Sequence, residues 1–379
     1  MRDTSVYVHF PWCAKKCPYC DFATRKIDVA TLPHEAYADA LLRELEVRRG
    51  ALRGRRLTSV FFGGGTPSLW SGAALGRVLA AIRGAFEEES EALEITAESN
   101  PNSLTRARAA AFAEAGVGRL SLGVQSLDDA RLRFLGRLHD RTEALTALGH
   151  AAAAVERVSA DLMFGMPGQS ADDLAREIDQ LLEAGVRHVS AYALTIEPGT
   201  QFGELHRLGK LRVAEEEAYA QMFERAERAF EAAGFAHYEV SNYAQPGEEA
   251  RHNLHYWRGG DYLGLGAAAV GCLSEADGGA RRWKNTVDAG RYMEALGEEE
   301  SETLGPQDRI REGLMLGLRM AEGVDGAALS ARAGVDWRRG REAALARRLE
   351  RGDVVLEGER LRVPRERWLL LDGIVADLF

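Results

Sequence analysis

An apolar run that ends in three glycines decides the fold: Ser59-Val60-Phe61-Phe62-Gly63-Gly64-Gly65-Thr66-Pro67. The apolar residues are typical of a buried β-strand, and the glycines permit a tight turn after it. A segment with helical periodicity follows at 72–86. This stretch therefore predicts a strand, a loop and a helix, which is the repeating unit of a parallel α/β fold.

The same unit recurs through the first two hundred residues. Strands are predicted at 5–10, 59–62, 93–97, 119–124, 158–164 and 188–194, and helices at 33–49, 72–86, 105–115, 142–155 and 171–184. Six βα units in succession imply a parallel sheet that curls into a barrel or part of one. We therefore expect an α/β fold with a partial (β/α)6 TIM-like barrel over residues 1–200.

The rest of the chain has a different pattern. Residues 201–300 are expected to extend the barrel, with a helix at 214–233, a strand at 237–243 and then the run His252-Asn253-Leu254-His255-Tyr256-Trp257. Residues 301–379 predict helices at 309–319, 326–333 and 337–350, followed by a hairpin at 354–363. This order indicates a C-terminal α+β domain of winged-helix-like form.

Composition limits the partners and the compartment. The 379 residues carry a formal net charge of −10, and 46% of them are hydrophobic. The C-terminal domain has an arginine-rich helix, but its 14 arginines are balanced by 14 acidic residues. A structural or docking role is therefore favoured there over DNA binding, and no nucleic-acid partner is expected. We find no signal peptide and no transmembrane segment in the sequence, so a cytoplasmic location is expected.

Polar or glycine-rich residues follow five of the predicted strands. Strand one leads into a cysteine-rich loop, and strand two leads into the three glycines. The ends of the next three strands are Glu98-Ser99-Asn100-Pro101, Gly123-Val124-Gln125-Ser126, and Asp161 with Gly165-Met166-Pro167-Gly168. Because the carboxyl ends of parallel strands meet at one edge of the sheet, these residues predict a shared ligand site.

The cysteine-rich loop holds Cys13, Cys17 and Cys20 in the spacing C-x3-C-x2-C, and Cys272 is the remaining cysteine of the chain. Disulfides would strain so short a loop, and a structural zinc site would require a second pair of ligands. Three thiolates on one loop favour a soft metal centre, such as a cubane of four irons in which one iron stays open. An open iron can bind the amine and carboxylate of an amino acid, and S-adenosylmethionine offers that pair.

Together these motifs resemble the radical S-adenosylmethionine (SAM) superfamily. The resemblance rests on the cysteine loop preceded by Tyr7-Val8-His9-Phe10-Pro11-Trp12, on Gly-Gly-Gly-Thr-Pro, on Gly-Val-Gln and on Asp161-Leu162-Met163-Phe164-Gly165-Met166-Pro167. It implies that Cys13, Cys17 and Cys20 bind a [4Fe-4S] cluster. It also implies a SAM site formed by Tyr7, Phe22, Gly64, Gly65, Thr66, Glu98, Gln125, Arg137 and Asp161.

Within this superfamily, the chain resembles the branch that contains oxygen-independent coproporphyrinogen oxidases and HemW-type heme chaperones. The oxidases resemble C-x3-C-x2-C-x-C, whereas this chain has Phe22 at the fourth cysteine's position. The run from His252 to Trp257 resembles the H-N-x-x-Y-W motif of the HemW type, which implies heme binding by His252 first and His255 second. Without the resemblance, a histidine among aromatic residues is more often a packed core group.

We therefore expect a heme chaperone that holds one cluster with SAM and one heme or related tetrapyrrole, and passes the heme to an acceptor protein. One alternative is an oxygen-independent coproporphyrinogen III oxidase, which performs a radical oxidative decarboxylation. The other is a metal-stabilised binding module without radical chemistry. Whether SAM is cleaved productively stays open at this point.

Overall fold

A mixed sheet of twelve strands is the centre of the computed structural model, which describes residues 1–275 and 278–379. The strands of the described residues are β1 (Arg2–Phe10), β2 (Trp12–Cys13), β3 (Arg25–Lys26), β4 (Arg55–Gly64), β5 (Glu88–Ser99), β6 (Arg119–Gln125), β7 (Arg157–Phe164), β8 (His188–Ala193), β9 (Ala236–Glu239), β10 (Asn242–Ala244), β11 (Asp261–Leu265), β12 (Val270–Ser274), β13 (Ala280–Asn285), β14 (Glu298–Leu304), β15 (Val324–Asp325), β16 (Val355–Glu357) and β17 (Arg360–Arg362). The order in the large sheet is β14-β13-β12-β11-β1-β4-β5-β6-β7-β8-β10-β9.

The six predicted strands form the parallel part of this sheet, in the order β1-β4-β5-β6-β7-β8. Strand β11 adds a seventh parallel strand beside β1, which the sequence pattern did not predict. The antiparallel strands β12 to β14 continue from β11, and β9 and β10 follow β8 at the other edge. The two edge strands, β14 and β9, do not pair in the described residues, so the prediction of a partial barrel is confirmed.

Helices return the chain between the parallel strands, and several begin at a side-chain cap. The helices are α1 (His34–Arg48), α2 (Gly72–Ala85), α3 (Arg106–Glu114), α4 (Asp129–Phe134), α5 (Arg141–Ala152), α6 (Ala171–Glu183), α7 (Gln201–Arg207), α8 (Glu216–Ala232), α9 (Arg251–Trp257), α10 (Ala289–Glu294), α11 (Pro306–Gly317), α12 (Gly326–Ala333), α13 (Glu342–Glu350) and α14 (Leu371–Asp377). Asp140 and Ser170 form capping boxes at the starts of α5 and α6. None of the helices in the described part of the chain combines the length and apolar character that crossing a bilayer needs.

The C-terminal part contains the predicted helices and hairpin, with a small sheet in the order β15-β17-β16. Two sequence predictions were wrong in detail. The predicted strand at 237–243 is the tight antiparallel pair β9 and β10. The helix predicted at 337–350 begins only at Glu342, because Gly340 before it takes a left-handed conformation with φ of 82°.

One continuous hydrophobic core includes residues of the barrel and of the C-terminal part, such as Val60, Leu162, Ile310 and Trp337. Strands β11 to β14 lie between 200 and 304 in the chain yet belong to the barrel sheet. The division into residues 1–200, 201–300 and 301–379 therefore stays a prediction, since a shared core and sheet link the three segments.

Candidate functional site

A cavity of about 430 Å³ opens at the carboxyl ends of the parallel strands. It holds all three clustered cysteines and most of the predicted SAM residues. The lining residues that match the predictions are Cys13, Cys17, Cys20, Phe22, Gly64, Gly65, Glu98, Gln125, Arg137 and Asp161. The strand ends therefore meet at one site, as the topology predicted.

The cysteine loop is held by backbone and side-chain hydrogen bonds. The N–H groups of Gly65 and Thr66 donate to the carbonyl oxygens of Phe10 and Trp12, which ties the start of the loop to the end of β4. The loop is closed on itself where β2 pairs with β3, and Nζ of Lys16 donates to the carbonyl oxygen of Phe22 at 3.0 Å. The thiols of Cys13, Cys17 and Cys20 are free and half-buried. Nη1 of Arg137 donates to Sγ of Cys17 at 3.5 Å. This contact places a positive charge beside the middle cysteine of the loop.

The donor set fits an iron-sulfur cluster. Among the described residues, no three His, Cys, Asp or Glu side chains converge as ligands of one metal ion. In a cubane each cysteine binds a different iron, which spaces the thiolates more widely than ligands of a single ion. Burial raises the pKa of both Cys13 and Cys20, so these thiols need a positive partner to ionise. A cluster held there by Cys13, Cys17 and Cys20 would supply redox chemistry at the mouth of the barrel.

Close packing requires glycine at two positions, the last residue of β4 and the first residue of the turn after it. Gly64 has φ of 102°, and a Cβ there would lie 2.5 Å from the imidazole of His9. A Cβ at Gly65 would overlap the carbonyl oxygens of Trp12 and Phe10. The turn therefore runs directly against the cysteine loop, and its backbone is available to a ligand in the cavity.

Two half-buried carboxyl groups, those of Glu98 on β5 and Asp161 on β7, line the cavity. Burial and, to a smaller extent, the nearby Asp161 together raise the pKa of Glu98 to about 8, although the N–H of Gly64 opposes the shift. Burial also raises the pKa of Asp161 to about 6, against the positive charge of Arg119. Oε2 of Glu98 accepts from the N–H of Gly64 at 3.0 Å. Because burial disfavours the ionised form of such carboxyl groups, they suit a ligand whose ammonium or hydroxyl groups donate hydrogen bonds to them.

A polar wall closes the cavity on the opposite side. Oη of Tyr192 donates to Oε1 of Gln125 at 2.9 Å, and Gln125 has a left-handed φ of 68°. Nη2 of Arg137 donates to Oδ1 of Asn100 at 2.5 Å and to the carbonyl oxygen of Gly123 at 2.6 Å. These bonds fix the guanidinium between the cysteine loop and the ends of β5 and β6.

Several lining residues were not among the predicted site residues, namely Tyr19, Ser121, Met163 and Tyr192. Tyr192 could be found from the sequence, because it lies near the end of the sixth predicted strand. Tyr19 lies between Cys17 and Cys20, and its role as a wall of the cavity depends on how the loop folds.

Two predicted SAM residues are placed elsewhere. Thr66 lies behind the cavity, where its Oγ1 accepts from Nδ2 of Asn100 at 2.9 Å. Tyr7 is three residues before the end of β1 and is not among the lining residues of the cavity; its hydroxyl lies 3.0 Å from Nδ1 of His9. The assignment of these two residues to the SAM site therefore stays a prediction.

Tyr7 instead lines a second cavity, of about 490 Å³, together with His252. The remaining lining residues are His9, Tyr256, Tyr262, Ala268, Val270 and Arg282. His252 and Tyr256 are four residues apart on α9, so the helix presents both on one face. The volume is within the range of cofactor pockets, about 300–1,000 Å³.

The imidazole of His252 is held rigidly. Its ring stacks on Phe61 at 4.9 Å between centroids, and its Nδ1 lies 2.9 Å from Oγ of Ser59. Its backbone N–H donates to the carboxylate of Glu94, which caps α9. Burial lowers the pKa of His252 to about 3, so the ring is neutral and can act as a metal ligand.

His255 does not share this cavity. Its Nε2 lies 2.8 Å from the carbonyl oxygen of Asp261, and its ring lines a different depression beside Arg2 and Asp3. The structure therefore separates the two predicted heme residues, and only His252 lies in the cavity with Tyr7 and Tyr256.

Comparison with known proteins agrees with the motifs. The model of the radical SAM superfamily matches residues 7–181, and the model of the HemN C-terminal domain matches residues 304–370. The chain is 38% identical over 303 residues to heme chaperone HemW of Escherichia coli, covering 78% of this chain and 79% of that protein. It is 37% identical over 380 residues to heme chaperone HemW of Mycobacterium tuberculosis, covering 98% and 94%.

A relative from Danio rerio, the mitochondrial radical S-adenosyl methionine domain-containing protein 1, is 38% identical and covers 85% of this chain and 74% of its own. Among solved structures, coproporphyrinogen III oxidase (HemN) of Escherichia coli superposes with a TM-score of 0.81 at 21% identity, covering 100% of this chain and 90% of that one. The HemN likeness confirms the fold, including the C-terminal part. On the sequence relatives, the chain belongs to the radical SAM superfamily and, within it, to the family of the HemW heme chaperones.

Proposed function

We propose that this protein is a heme chaperone, which binds heme in the cavity beside His252 and passes it to an acceptor protein. The observation that carries the proposal is the neutral, rigidly held His252 in a cavity walled by aromatic side chains. Imidazole is a common axial ligand of heme iron, and tyrosine rings pack well against a macrocycle. The curated relatives named heme chaperone HemW support the same function.

The cluster and SAM occupy the first cavity in this proposal. Cys13, Cys17 and Cys20 are the proposed cluster ligands, and Phe22, Gly64, Gly65, Glu98, Gln125, Arg137 and Asp161 are the proposed SAM contacts. Thr66 is assigned a supporting role through its bond to Asn100. Tyr7 lines the second cavity with His252 and is assigned to the heme side.

The decarboxylase alternative is less favoured because of one side chain. Phe22 is 57% exposed at the mouth of the first cavity, where the oxidase motif has a fourth cysteine. A phenyl ring cannot replace a thiol in redox chemistry or ligation. The fold shared with HemN does not distinguish the two functions, since one fold can carry either chemistry.

Anaerobic reconstitution with iron and sulfide, followed by heme titration, tests the proposal. We expect an iron-sulfur spectrum that changes when SAM is added, and a Soret band on adding heme. His252→Ala should weaken heme binding and change the Soret band, while His206→Ala, which alters an exposed histidine on α7, should do neither. Equal affinity and an identical Soret band in wild type and His252→Ala would reject the ligand assignment.

The two alternatives have their own readouts. Decarboxylated product from coproporphyrinogen III would establish the oxidase instead of the chaperone. A cluster spectrum that does not respond to SAM would favour a binding module without radical chemistry. The proposed location is the cytoplasm, and the acceptor is a protein that lacks heme, to which transfer can be followed by mixing the loaded chain with an apo-hemoprotein.

A further inference from the structure

A small cavity of about 60 Å³ adjoins the proposed heme cavity and shares three of its walls. The shared side chains are those of Tyr256, Tyr262 and Arg282. The small cavity lies where α11 and α12 of the C-terminal part meet β11, β12 and β13 of the large sheet. It has room for a carboxylate group but not for a macrocycle.

Arg309 is the unusual residue of this small cavity. Its side chain lines the cavity, only 7% of the residue is exposed, and its guanidinium makes no hydrogen bond or ion pair with any residue that the structure describes. Nη1 is completely buried and unpaired. A buried guanidinium without a partner destabilises the folded protein, so in most proteins it is paired.

Arg332 adds a second positive charge without a carboxylate partner in the described part of the chain. Its Nη1 donates to the carbonyl oxygens of Arg258 and Gly259, both at 2.8 Å. Burial lowers the pKa of Arg332, and the charge of Arg309 lowers it further, so the two guanidinium groups repel one another. An anion between them would relieve both costs.

The carboxylates that line the same cavity are already engaged. Glu312 forms an ion pair with Arg282, which also pairs with Glu302 at 2.7 Å. Asp261 forms an ion pair with the buried Arg55 and accepts from the N–H of Ser274 at 3.0 Å. Within the described residues, neither Arg309 nor Arg332 therefore forms an ion pair, although Asp261 attracts the charge of Arg332 from a distance.

We infer that Arg309 and Arg332 bind a propionate carboxylate of the tetrapyrrole whose iron lies beside His252. This inference rests on the proposed function. It follows from the shared walls of the two cavities, from the size of the smaller one and from the two unmatched positive charges. Charge-assisted hydrogen bonds from arginine to carboxylate are short and strong, and they orient the ligand as well as bind it. The C-terminal part thereby becomes one side of the heme site.

The test compares heme with its dimethyl ester, in which both carboxylates are blocked, in titrations of the full chain followed at the Soret band. Wild type should bind heme about ten- to a hundredfold more tightly than the ester, since a hydrogen bond to a charged group contributes about 1.5–3 kcal/mol. Arg309→Met should remove most of this preference, and Arg332→Met should reduce it. Arg311→Met is the matched control, because Arg311 lies on the same helix and is exposed.

The thermal stability of the heme-free variants separates binding from folding. Arg309→Met should melt at the same temperature as wild type or higher, because it removes an unpaired buried charge. If Arg309→Met keeps the full preference for heme over the ester, the propionate site is rejected while heme binding stands. If wild type binds neither compound, the proposed function fails, and the inference fails with it.

Discussion

Oγ of Ser59 on β4 lies 2.9 Å from Nδ1 of His252 on α9, although the two residues are 193 positions apart in the chain. When Nδ1–H donates to the hydroxyl, Nε2 keeps its lone pair for a metal. The partner of the second ring nitrogen commonly fixes the orientation and tautomer of a ligating histidine. Ser59 is therefore expected to position His252 without touching heme.

We predict that Ser59→Ala lowers heme affinity about 10- to 100-fold, because the imidazole loses the bond that orients it. Heme titration and the position of the Soret band measure this change. Thr58→Ala serves as the control, since the hydroxyl of Thr58 on the same strand bonds to the carbonyl oxygen of Thr4. An unchanged affinity in Ser59→Ala would show that packing on Phe61 alone holds the ring.

Arg137 is predicted to hold the cluster in its loop. Its guanidinium donates to Sγ of Cys17 and to Oδ1 of Asn100, so it joins the loop to the end of β5. Arg137→Met should weaken cluster retention by about 1.5–3 kcal/mol, the contribution of a hydrogen bond to a charged group. The iron and sulfide content after anaerobic gel filtration measures this loss.

Arg133→Met is the matched control for that experiment, because Arg133 is an exposed arginine on the neighbouring helix α4. It should retain as much iron as wild type. Equal retention in Arg137→Met and Arg133→Met would mean that the cysteines hold the cluster without help from the guanidinium.

The sequence predicted the parallel strands and the positions of their ends because both depend on local patterns. An apolar run of five or six residues followed by glycine or polar residues identifies a strand and its carboxyl end without knowledge of its neighbours. Glu98, Gln125 and Asp161 were found in this way, and all three line the first cavity.

Such patterns could not predict how far a side chain lies from the end of its strand, or which strands distant in the chain pair with each other. Tyr7 is on the predicted strand, but it lies three residues before the end of β1. There its ring stacks on Phe61, and it lines the second cavity. Strand β11 contains a glycine and begins at Asp261, so it is weak by its own sequence. Its pairing with β1 is aided by the buried ion pair between Arg55 and Asp261, which are 206 residues apart.

Tyr37→Phe is predicted to destabilise the fold without entering either cavity. The hydroxyl of Tyr37 donates to the carbonyl oxygen of His9 at 2.5 Å and accepts from the N–H of Ala267 at 3.1 Å. Its loss removes two hydrogen bonds to buried backbone groups, so the free energy of unfolding should fall by about 1–3 kcal/mol. Urea unfolding measures this change, with Tyr219→Phe as the control because the Tyr219 hydroxyl bonds to no residue that the structure describes. A loss no larger than that of the control would contradict the prediction.

The raised pKa of Glu98 predicts that the stability of the SAM-free chain depends on pH. Its pKa rises from an ordinary value of 4.5 to about 8 in the folded protein, chiefly through burial. Because the folded state favours the protonated acid, this contribution to stability is complete below pH 4.5 and is lost as the pH rises through about 8. Glu98→Gln stays neutral at every pH, so its free energy of unfolding should exceed that of wild type at alkaline pH and match it near pH 5.

At alkaline pH, the free energies of unfolding of wild type and Glu98→Gln should differ by on the order of a few kcal/mol at most. The difference is limited because Asp161 titrates in the same cavity and shares the shift. Chemical denaturation at a series of pH values measures it. Glu91→Gln, at an exposed position on the same strand, should follow wild type throughout. When SAM is bound, the stability of wild type should instead rise with pH, because a ligand that donates hydrogen bonds to Glu98 favours the ionised carboxylate. If wild type and Glu98→Gln keep the same difference in stability from pH 5 to pH 9, Glu98 is already ionised in the free protein and the cavity is better hydrated than its burial implies.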